Sequence, residues 1–206
     1  TFHQQKRPYI ILKWAQSADG FFTKDNRQQS WITGELSRRL VHRWRAEEQA
    51  ILVGYRTVLA DDPELTARLP GRPVDQPLRV VLDSRLRTPA TAKVATGGDS
   101  LILTVAEPVR VGDAVVERVE TEGNRPSVAA SLAAMKRHGI TSVMIEGGGT
   151  VAASFLRAGL VEQEGRQAHP CERLLGALRA LDRLPGVRLI LGTYLLLGIA
   201  MNVYPT

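Results

Sequence analysis

The chain has 206 residues, 44% of them hydrophobic and 23% charged, with a formal net charge of +6. Those values describe an ordinary globular chain of one domain, or one and a half, long enough to bury a sizeable core. The single cysteine, Cys171, excludes an internal disulfide framework and a multi-cysteine zinc site, so no metal is expected and a reduced cytoplasmic compartment is the default. The short HPCERL segment, residues 169–174, lacks the second cysteine and the preceding H-x-E of a deaminase zinc motif.

The basic excess sits early. Thr1 to Ala60 hold ten Lys and Arg against five Asp and Glu, clustered around Arg38, Arg39, Arg43 and Arg45. Such a cluster suits a solvated helix face, a nucleic-acid surface or a few bidentate phosphate contacts. The interleaved aromatics of nucleic-acid modules are missing, which argues against nucleic acid.

In chain order, TFHQQKRPY has no signal h-region and reads as a linker, residues 1–8. Tyr9 to Leu12 is a short β-rich run after a proline. Ser17, Asp19 and Gly20 mark a turn, and residues 24–30 are polar and loop-like. Thr33 is a candidate N-cap, and Leu36, Leu40, Val41 and Trp44 follow at helical spacing. AILVG, ending at Gly54, is a buried strand. It opens onto GYRTVLADDPELTAR, where two adjacent carboxylates, Asp61 and Asp62, precede Pro63 and Arg68. LPGRPVDQP is a loop; LRVVLDS and SLILTV are strands. SVAASLAAMKRHGI is a helix with Gly139 as its C′ residue, TSVMIEGGGT a strand running into a glycine turn, and VAASFLRAGL a helix ended at Gly159.

Apolar strands of four to six residues alternating with helices predict a mostly parallel sheet with helices on both faces. Ligands in such sheets sit beyond the carboxyl ends of the strands. Four groups of polar or glycine residues fall at strand ends: Ser17 to Gly20, Thr57 to Asp62, Asp83 with Ser84, and Glu146 to Thr150. Together they predict a single site. The glycine turn in IEGGGTVAASF offers backbone N–H groups to a phosphate, but it is not G-x-G-x-x-G, and no Rossmann fold follows from it.

Six segments occur in a telling order: KWAQSADG, QSWIT, WRAEEQAILVG, RTVLADDPELTAR, LRVVLDS and IEGGGTVAASFLRAGLV. This combination resembles the reductase domain of the bifunctional riboflavin-biosynthesis deaminase/reductase, and DDP-x-L-x-x-R is its most specific part. The resemblance covers residues 6–161. It implies an α/β fold similar to dihydrofolate reductase, NADPH as cofactor, and reduction of 5-amino-6-(5-phosphoribosylamino)uracil to the ribitylamino product. It also implies a fused deaminase domain upstream and a homodimer.

Roles follow from the resemblance residue by residue. Arg45 and Arg68 would bind substrate, with its phosphate as the favoured target; Leu65 would pack near it and Glu146 contact it. Thr57, Asp61, Trp31 and Ser84 would contact NADPH. Gly148, Gly149, Thr150, Val151, Ala152, Ala153 and Ser154 would cradle cofactor phosphate. Gln16 (cofactor) and Gln29 (substrate) occupy contact positions that accept varied residues. Lys13, Asp61 and Glu146 are the candidates nearest the chemistry: Lys13 to polarise the substrate, Asp61 to face the nicotinamide and ribose. Asp62 is expected to cap the turn before Pro63, and His42 to be structural or exposed.

The pattern ends at Val161, giving a reductase domain over 9–161 and an atypical segment over 162–206. Within it ERLLGALRALDRL has helical periodicity. VRLILGTYLLLGIAMNV is a largely apolar run, shorter than the roughly 20 residues of a span and carrying Arg188; it is expected to be a buried strand pair or a hydrophobic tail, not a membrane span. A foreign tail would leave the sheet edge near the site exposed. Two other readings stand beside the leading one: a reductase of the same fold acting on a pterin, and a non-catalytic or damaged fragment.

Overall fold

A computed structural model describes residues 7–17, 35–160 and 195–201, with backbone only for 15–17, 35–37 and 195–201. The expected helical segment ERLLGALRALDRL lies outside the described residues, as do the linker residues 1–6.

Strands β1 (Tyr9–Ser17), β2 (Ala50–Gly54), β3 (Leu78–Leu82), β4 (Ser100–Thr104), β5 (Val115–Arg118) and β8 (Ser142–Glu146) form the parallel part of one sheet, in the order β5-β4-β3-β2-β8-β1. Strand β9 (Leu195–Met201) adds to the free edge of β1 in antiparallel register, Trp14 opposite Gly198. Within the late apolar run, expected as a strand pair or a tail, the described residues form one strand, and it covers the sheet edge that a foreign tail was expected to leave exposed. Among the described residues no helix is long and apolar enough to cross a membrane. The short β6 (Thr121–Glu122) and β7 (Arg125–Pro126) pair as a separate ribbon.

Alternation along the strands builds two cores. Ile10, Leu12, Ala50, Leu52, Val143 and Ile145 face helices α3 (Val128–Arg137) and α4 (Gly149–Arg157), whose Leu132, Met135 and Phe155 close that layer. Ile11, Ile51, Val53 and Met144 point the other way, toward α1 (Glu35–Glu47) and α2 (Tyr55–Asp61) through Trp44 and Val58. Helices thus lie on both faces of a mostly parallel sheet, the expected architecture. Strands buried on both sides lose the polar alternation of half-exposed ones, which is why they read as short apolar runs.

The helix ends follow local chemistry. The Ser127 hydroxyl accepts from the Ala130 N–H at 3.5 Å. At the other end of α3, Gly139 sits at φ +78°, its N–H reaching the Lys136 carbonyl at 2.9 Å while Ile140 reaches Met135 at 3.1 Å. That pair of bonds satisfies carbonyls the helix leaves open.

Three features differ from the sequence expectation. Strand β1 continues from Leu12 to Ser17, because β9 goes on pairing with it beyond Lys13, where the ladder with β8 ends. The stretch after Gly54 is a helix, α2, although Pro63 follows closely: the helix stops at Asp62, which takes the left-handed conformation (φ 39°) and so leaves Pro63 outside. The edge strand β5 escapes detection because its residues are half or fully exposed and carry charge.

Gly54 joins β2 to α2 beneath α4. A Cβ there would lie 2.8 Å from the Val151 methyl, so the contact is steric and not conformational. Gly54→Ala should cost about 1–3 kcal/mol in urea unfolding through overpacking, and Val151→Ala in the same chain should recover part of that loss.

Candidate active site

The connectivity places β8 between β1 and β2, although it is made late in the chain. Lys13 and Glu146 are register partners on neighbouring strands, and both point to the α1 face. Glu146 is 6% exposed. A carboxylate so buried needs compensation. Arg45, near the end of α1, supplies it with a two-pronged contact: Nε donates to Oε1 at 2.6 Å and Nη2 to Oε2 at 2.8 Å. Lys13 Nζ lies 3.8 Å from Oε2. Burial alone would raise the Glu146 pKa. The Arg45 hydrogen bonds and charge, with Lys13 and His42, outweigh it and hold the carboxyl below its ordinary value.

Arg45 also donates through Nη1 to the Thr66 carbonyl at 3.1 Å. The sequence reading put Arg45 on a substrate phosphate. The structure instead places it on Glu146, with three of its five N–H groups already used. The exposed cation is Arg68. Its Nη1 meets Glu64 and donates to Thr66 Oγ1 at 2.9 Å, and its Nη2 lies 3.3 Å from His42 Nε2.

These groups wall a cavity of about 410 Å³ with Lys13 and Glu146 at its base and Arg38, Arg68 and Lys93 toward its mouth. Leu65, 1% exposed, closes its apolar side, though it holds φ +54°, a conformation that costs a non-glycine residue of the order of 1–2 kcal/mol. The segment is held from outside: Gln76 accepts the Ala67 N–H at 2.9 Å and donates to the Ala67 carbonyl at 3.0 Å.

A second cavity, of about 380 Å³, lies against α4 and the turn after β3. Thr57, Ser84, Gly148, Thr150, Val151 and Ser154 line it, with four arginines, Arg56, Arg85, Arg87 and Arg125. Asp83, fully buried, shapes the turn: its Oδ2 accepts from the Thr88 N–H at 2.7 Å and hydroxyl at 2.8 Å. Arg87 stacks 3.8 Å over the Tyr55 ring centroid. At the start of α4 the Gly149 and Thr150 amides precede the first intrahelical bonds, which run from the Val151 and Ala152 N–H groups to the Gly148 carbonyl at 2.9 and 3.1 Å, and Thr150 lines this space.

Thr57 lines both cavities, and the glycine turn separates them: Gly147 lines the first, Gly148 the second. These glycines hold φ +79° and +81°, and the Thr57 hydroxyl lies 3.4 and 3.5 Å from where their Cβ atoms would be. Side chains there would be strained and would crowd the passage.

Several expected residues fall elsewhere. Ala152 and Ala153 are buried in the core under α4 and line neither cavity; Gly149 is outside both linings. Asp61 lines the first cavity with Asp62, not the second, and desolvation raises its pKa. Asp62 ends α2, as expected of a turn former, and its Oδ1 also accepts the Lys93 N–H at 2.9 Å. Gln16 lies on β1 opposite Leu196, described as backbone only. Gln29 and Trp31 lie outside the described residues. The sequence reading missed Arg38, His42 and Lys93 at the first cavity and Arg56, Arg85, Arg87 and Arg125 at the second. The i, i+4, i+7 spacing of Arg38, His42 and Arg45 on one helix face could have signalled the first group.

A model of the RibD C-terminal domain family matches residues 8–170. The chain belongs to that family. The match extends beyond Val161, where the sequence resemblance was drawn to a close. Riboflavin biosynthesis protein RibD of Bacillus amyloliquefaciens is 39% identical over 163 residues, covering 76% of this chain and 44% of that protein. A 2,5-diamino-6-ribosylamino-4(3H)-pyrimidinone 5′-phosphate reductase of Archaeoglobus fulgidus is 37% identical over 170 residues, covering 76% of this chain and 78% of that one. Among solved structures, a diaminohydroxyphosphoribosylaminopyrimidine deaminase/5-amino-6-(5-phosphoribosylamino)uracil reductase of Thermotoga maritima superposes with a TM-score of 0.64 at 33% identity, over 77% of this chain and 44% of that one. The chain thus spans about half the length of its RibD relatives. The fold is the dihydrofolate-reductase-like one of the RibD family.

The Glu146 ion pair yields a pH prediction. A carboxyl with a depressed folded pKa adds stability that is full above its unfolded value, about 4.3, and is lost as pH falls through the folded one. Denaturant titrations across this range should show that acid limb in the wild type and its disappearance in Glu146→Gln. At neutral pH the variant should be less stable by about 3–5 kcal/mol, because Arg45 is left buried and uncompensated.

Proposed function

We propose that this chain is an NADPH-dependent reductase acting on a 5-phosphoribosylamino-pyrimidine, 5-amino-6-(5-phosphoribosylamino)uracil, and leaving a ribitylamino chain. The supporting observation is the pair of cavities that meet at Thr57 and the Gly147–Gly148 turn, one floored by a buried glutamate and rimmed by cations, the other lined by four arginines. One compartment suits a phosphorylated pyrimidine and the other a phosphorylated dinucleotide.

The residues fit a nicotinamide dinucleotide. The amides at the start of α4 would receive its pyrophosphate, and Ser84, Arg85 and Arg87, which line the same cavity, would read a further phosphate on the adenosine ribose; that cationic lining is the support for NADPH over NADH. A bound reduced nicotinamide would supply a hydride to the sugar C1′ carbon; the bond from C1′ to the ring oxygen opens, and that oxygen takes a proton to become a hydroxyl of the ribityl chain. The rest falls to side chains. Glu146, kept ionised by Arg45 and Lys13, accepts hydrogen bonds from the pyrimidine edge. Arg68 meets the sugar phosphate, with Arg38 and Lys93 adding positive field. Leu65 packs against the ligand and helps exclude water. The gain is in orientation and preset electrostatics.

An unphosphorylated pterin would have no use for the cationic mouth. The pairing of β9 with β1 completes the sheet beside the site, which favours a working domain over a remnant. The Archaeoglobus fulgidus relative's name favours one variation, a diamino-pyrimidinone in place of the uracil.

Oxidation of NADPH, followed at its absorbance with each pyrimidine, tests the proposal; no turnover with either would reject it. Arg68→Ala should raise the substrate KM by about 10–100-fold, as loss of a charged hydrogen bond implies, with a smaller change in kcat. Arg87→Ala should raise the KM for NADPH by roughly tenfold and leave that for NADH little changed.

A further inference from the structure

His42 has no role in the reading above, yet it lies at the centre of the first cavity's wall. Its Nδ1 lies 3.2 Å from the Thr66 carbonyl. A carbonyl oxygen only accepts, so Nδ1 carries the proton. In the neutral ring Nε2 is then a bare acceptor, and it faces Arg68 Nη2 at 3.3 Å. The Thr66 carbonyl also receives Arg45 Nη1. One carbonyl thereby ties the helix that holds the buried glutamate to the loop that carries Arg68.

We propose that His42 is a positioning residue: its neutral imidazole joins the Thr66 carbonyl to the Arg68 guanidinium and so aims Arg68 at the anionic group of the substrate. This rests on the reading of Arg68 as the phosphate contact. Arg68 needs such support. Its side chain is 57% exposed, and a long flexible cation loses rotamer freedom when it engages a ligand. Glu64 and Thr66 hold only Nη1. His42 holds Nη2 from another element, and two anchors on different nitrogens fix the plane of the guanidinium where one leaves it free to swing.

The arrangement works in one protonation state only. An imidazolium would turn Nε2–H toward the guanidinium, donor against donor. Burial, then Arg45 and Arg68, oppose that charge, while the Thr66 carbonyl and Glu146 favour it; the balance puts the His42 pKa below the ordinary histidine value. Arg38 and Lys93 add further positive charge to the same cavity and Glu64 negative charge. The contact is therefore intact at neutral pH and lost on the acid side.

The test is steady-state kinetics with the phosphoribosylamino-uracil from about pH 5 to 8 on the wild type, His42→Ala and His42→Gln, joined to ¹⁵N NMR of the imidazole in the wild type and Arg68→Ala without substrate. His42→Ala should raise the substrate KM roughly tenfold with kcat and the NADPH KM nearly unchanged. The His42→Gln variant, whose amide oxygen accepts but does not titrate, should restore a low KM near neutral pH; as pH falls the wild-type KM should climb more steeply than that of His42→Gln, the climb common to both being protonation of the substrate phosphate. The NMR spectra should show Nε2 unprotonated, and the imidazole pKa should move up in Arg68→Ala. An unchanged KM in His42→Ala, a kcat loss as large as the KM rise, equal pH profiles in wild type and His42→Gln, or a His42 titration indifferent to Arg68→Ala would each overturn the proposal. Absence of wild-type turnover would reject the substrate reading instead, and the NMR arm would still decide whether His42 grips Arg68.

Discussion

The two-pronged contact between Arg45 and Glu146 is the constraint around which the rest is arranged. Glu146 ends β8, an interior strand flanked by β2 and β1, deep enough that an unpaired carboxylate would be prohibitively costly. Its partner comes from a helix 101 positions earlier in the chain, and Lys13 comes from the neighbouring strand. Three elements are therefore tied at one carboxylate, and the last turn of α1 is held against the carboxyl end of β8. A buried ion pair adds little net stability, but removing one partner is expensive. Its value here is placement: a charged acceptor is held still at the floor of a cavity.

The sheet divides the labour. Its α1 face carries the cavity with the glutamate, and the α4 side carries the cavity with the arginines. Among the described residues only Thr57 borders both, and the glycines beside it keep the passage clear of side chains. A transfer between two ligands needs this kind of arrangement: separate compartments for binding, one narrow region of contact and little water.

The segment from Asp62 to Gln76 has almost no regular structure, yet it is held from many directions. Asp62 caps α2 and reaches the Lys93 amide, Gln76 clamps the backbone of Ala67 on both sides, and Thr66 receives His42 and Arg45. Such cross-bracing is what keeps Leu65 in a left-handed conformation. The loop is a rigid part of the site wall because outside bonds replace the ladder of a strand or helix.

Much was legible in order and type. Apolar runs marked the parallel strands because burial on both faces leaves no room for polar alternation, and Gly139 and Gly159 punctuated helices through chemistry local to them. The segments DDP-x-L-x-x-R and IEGGGT pointed to the strand ends where both cavities lie. Helix α2 and strand β5 were hidden, the first because its stop is a single left-handed residue just before a proline, the second because an exposed edge carries no apolar signature.

Three of the four marked strand ends, Thr57 to Asp62, Asp83 with Ser84 and Glu146 to Thr150, border the cavities and were determined by the sequence itself, since strand, turn and cap preferences act over a few residues; the fourth, Ser17 to Gly20, lies largely outside the described residues. Who pairs with whom was decided only by the tertiary structure. Arg45 is an ordinary basic helix residue until β8 slides between β1 and β2 and brings Glu146 under it. His42 is unremarkable until the same helix face meets Thr66 and Arg68. The scattered arginines around the second cavity share no motif, and it takes the approach of α4, the β3 turn and the β6–β7 ribbon to converge their charges. Charge pairing acts over ångströms in space, and the chain order of the partners carries no trace of that distance.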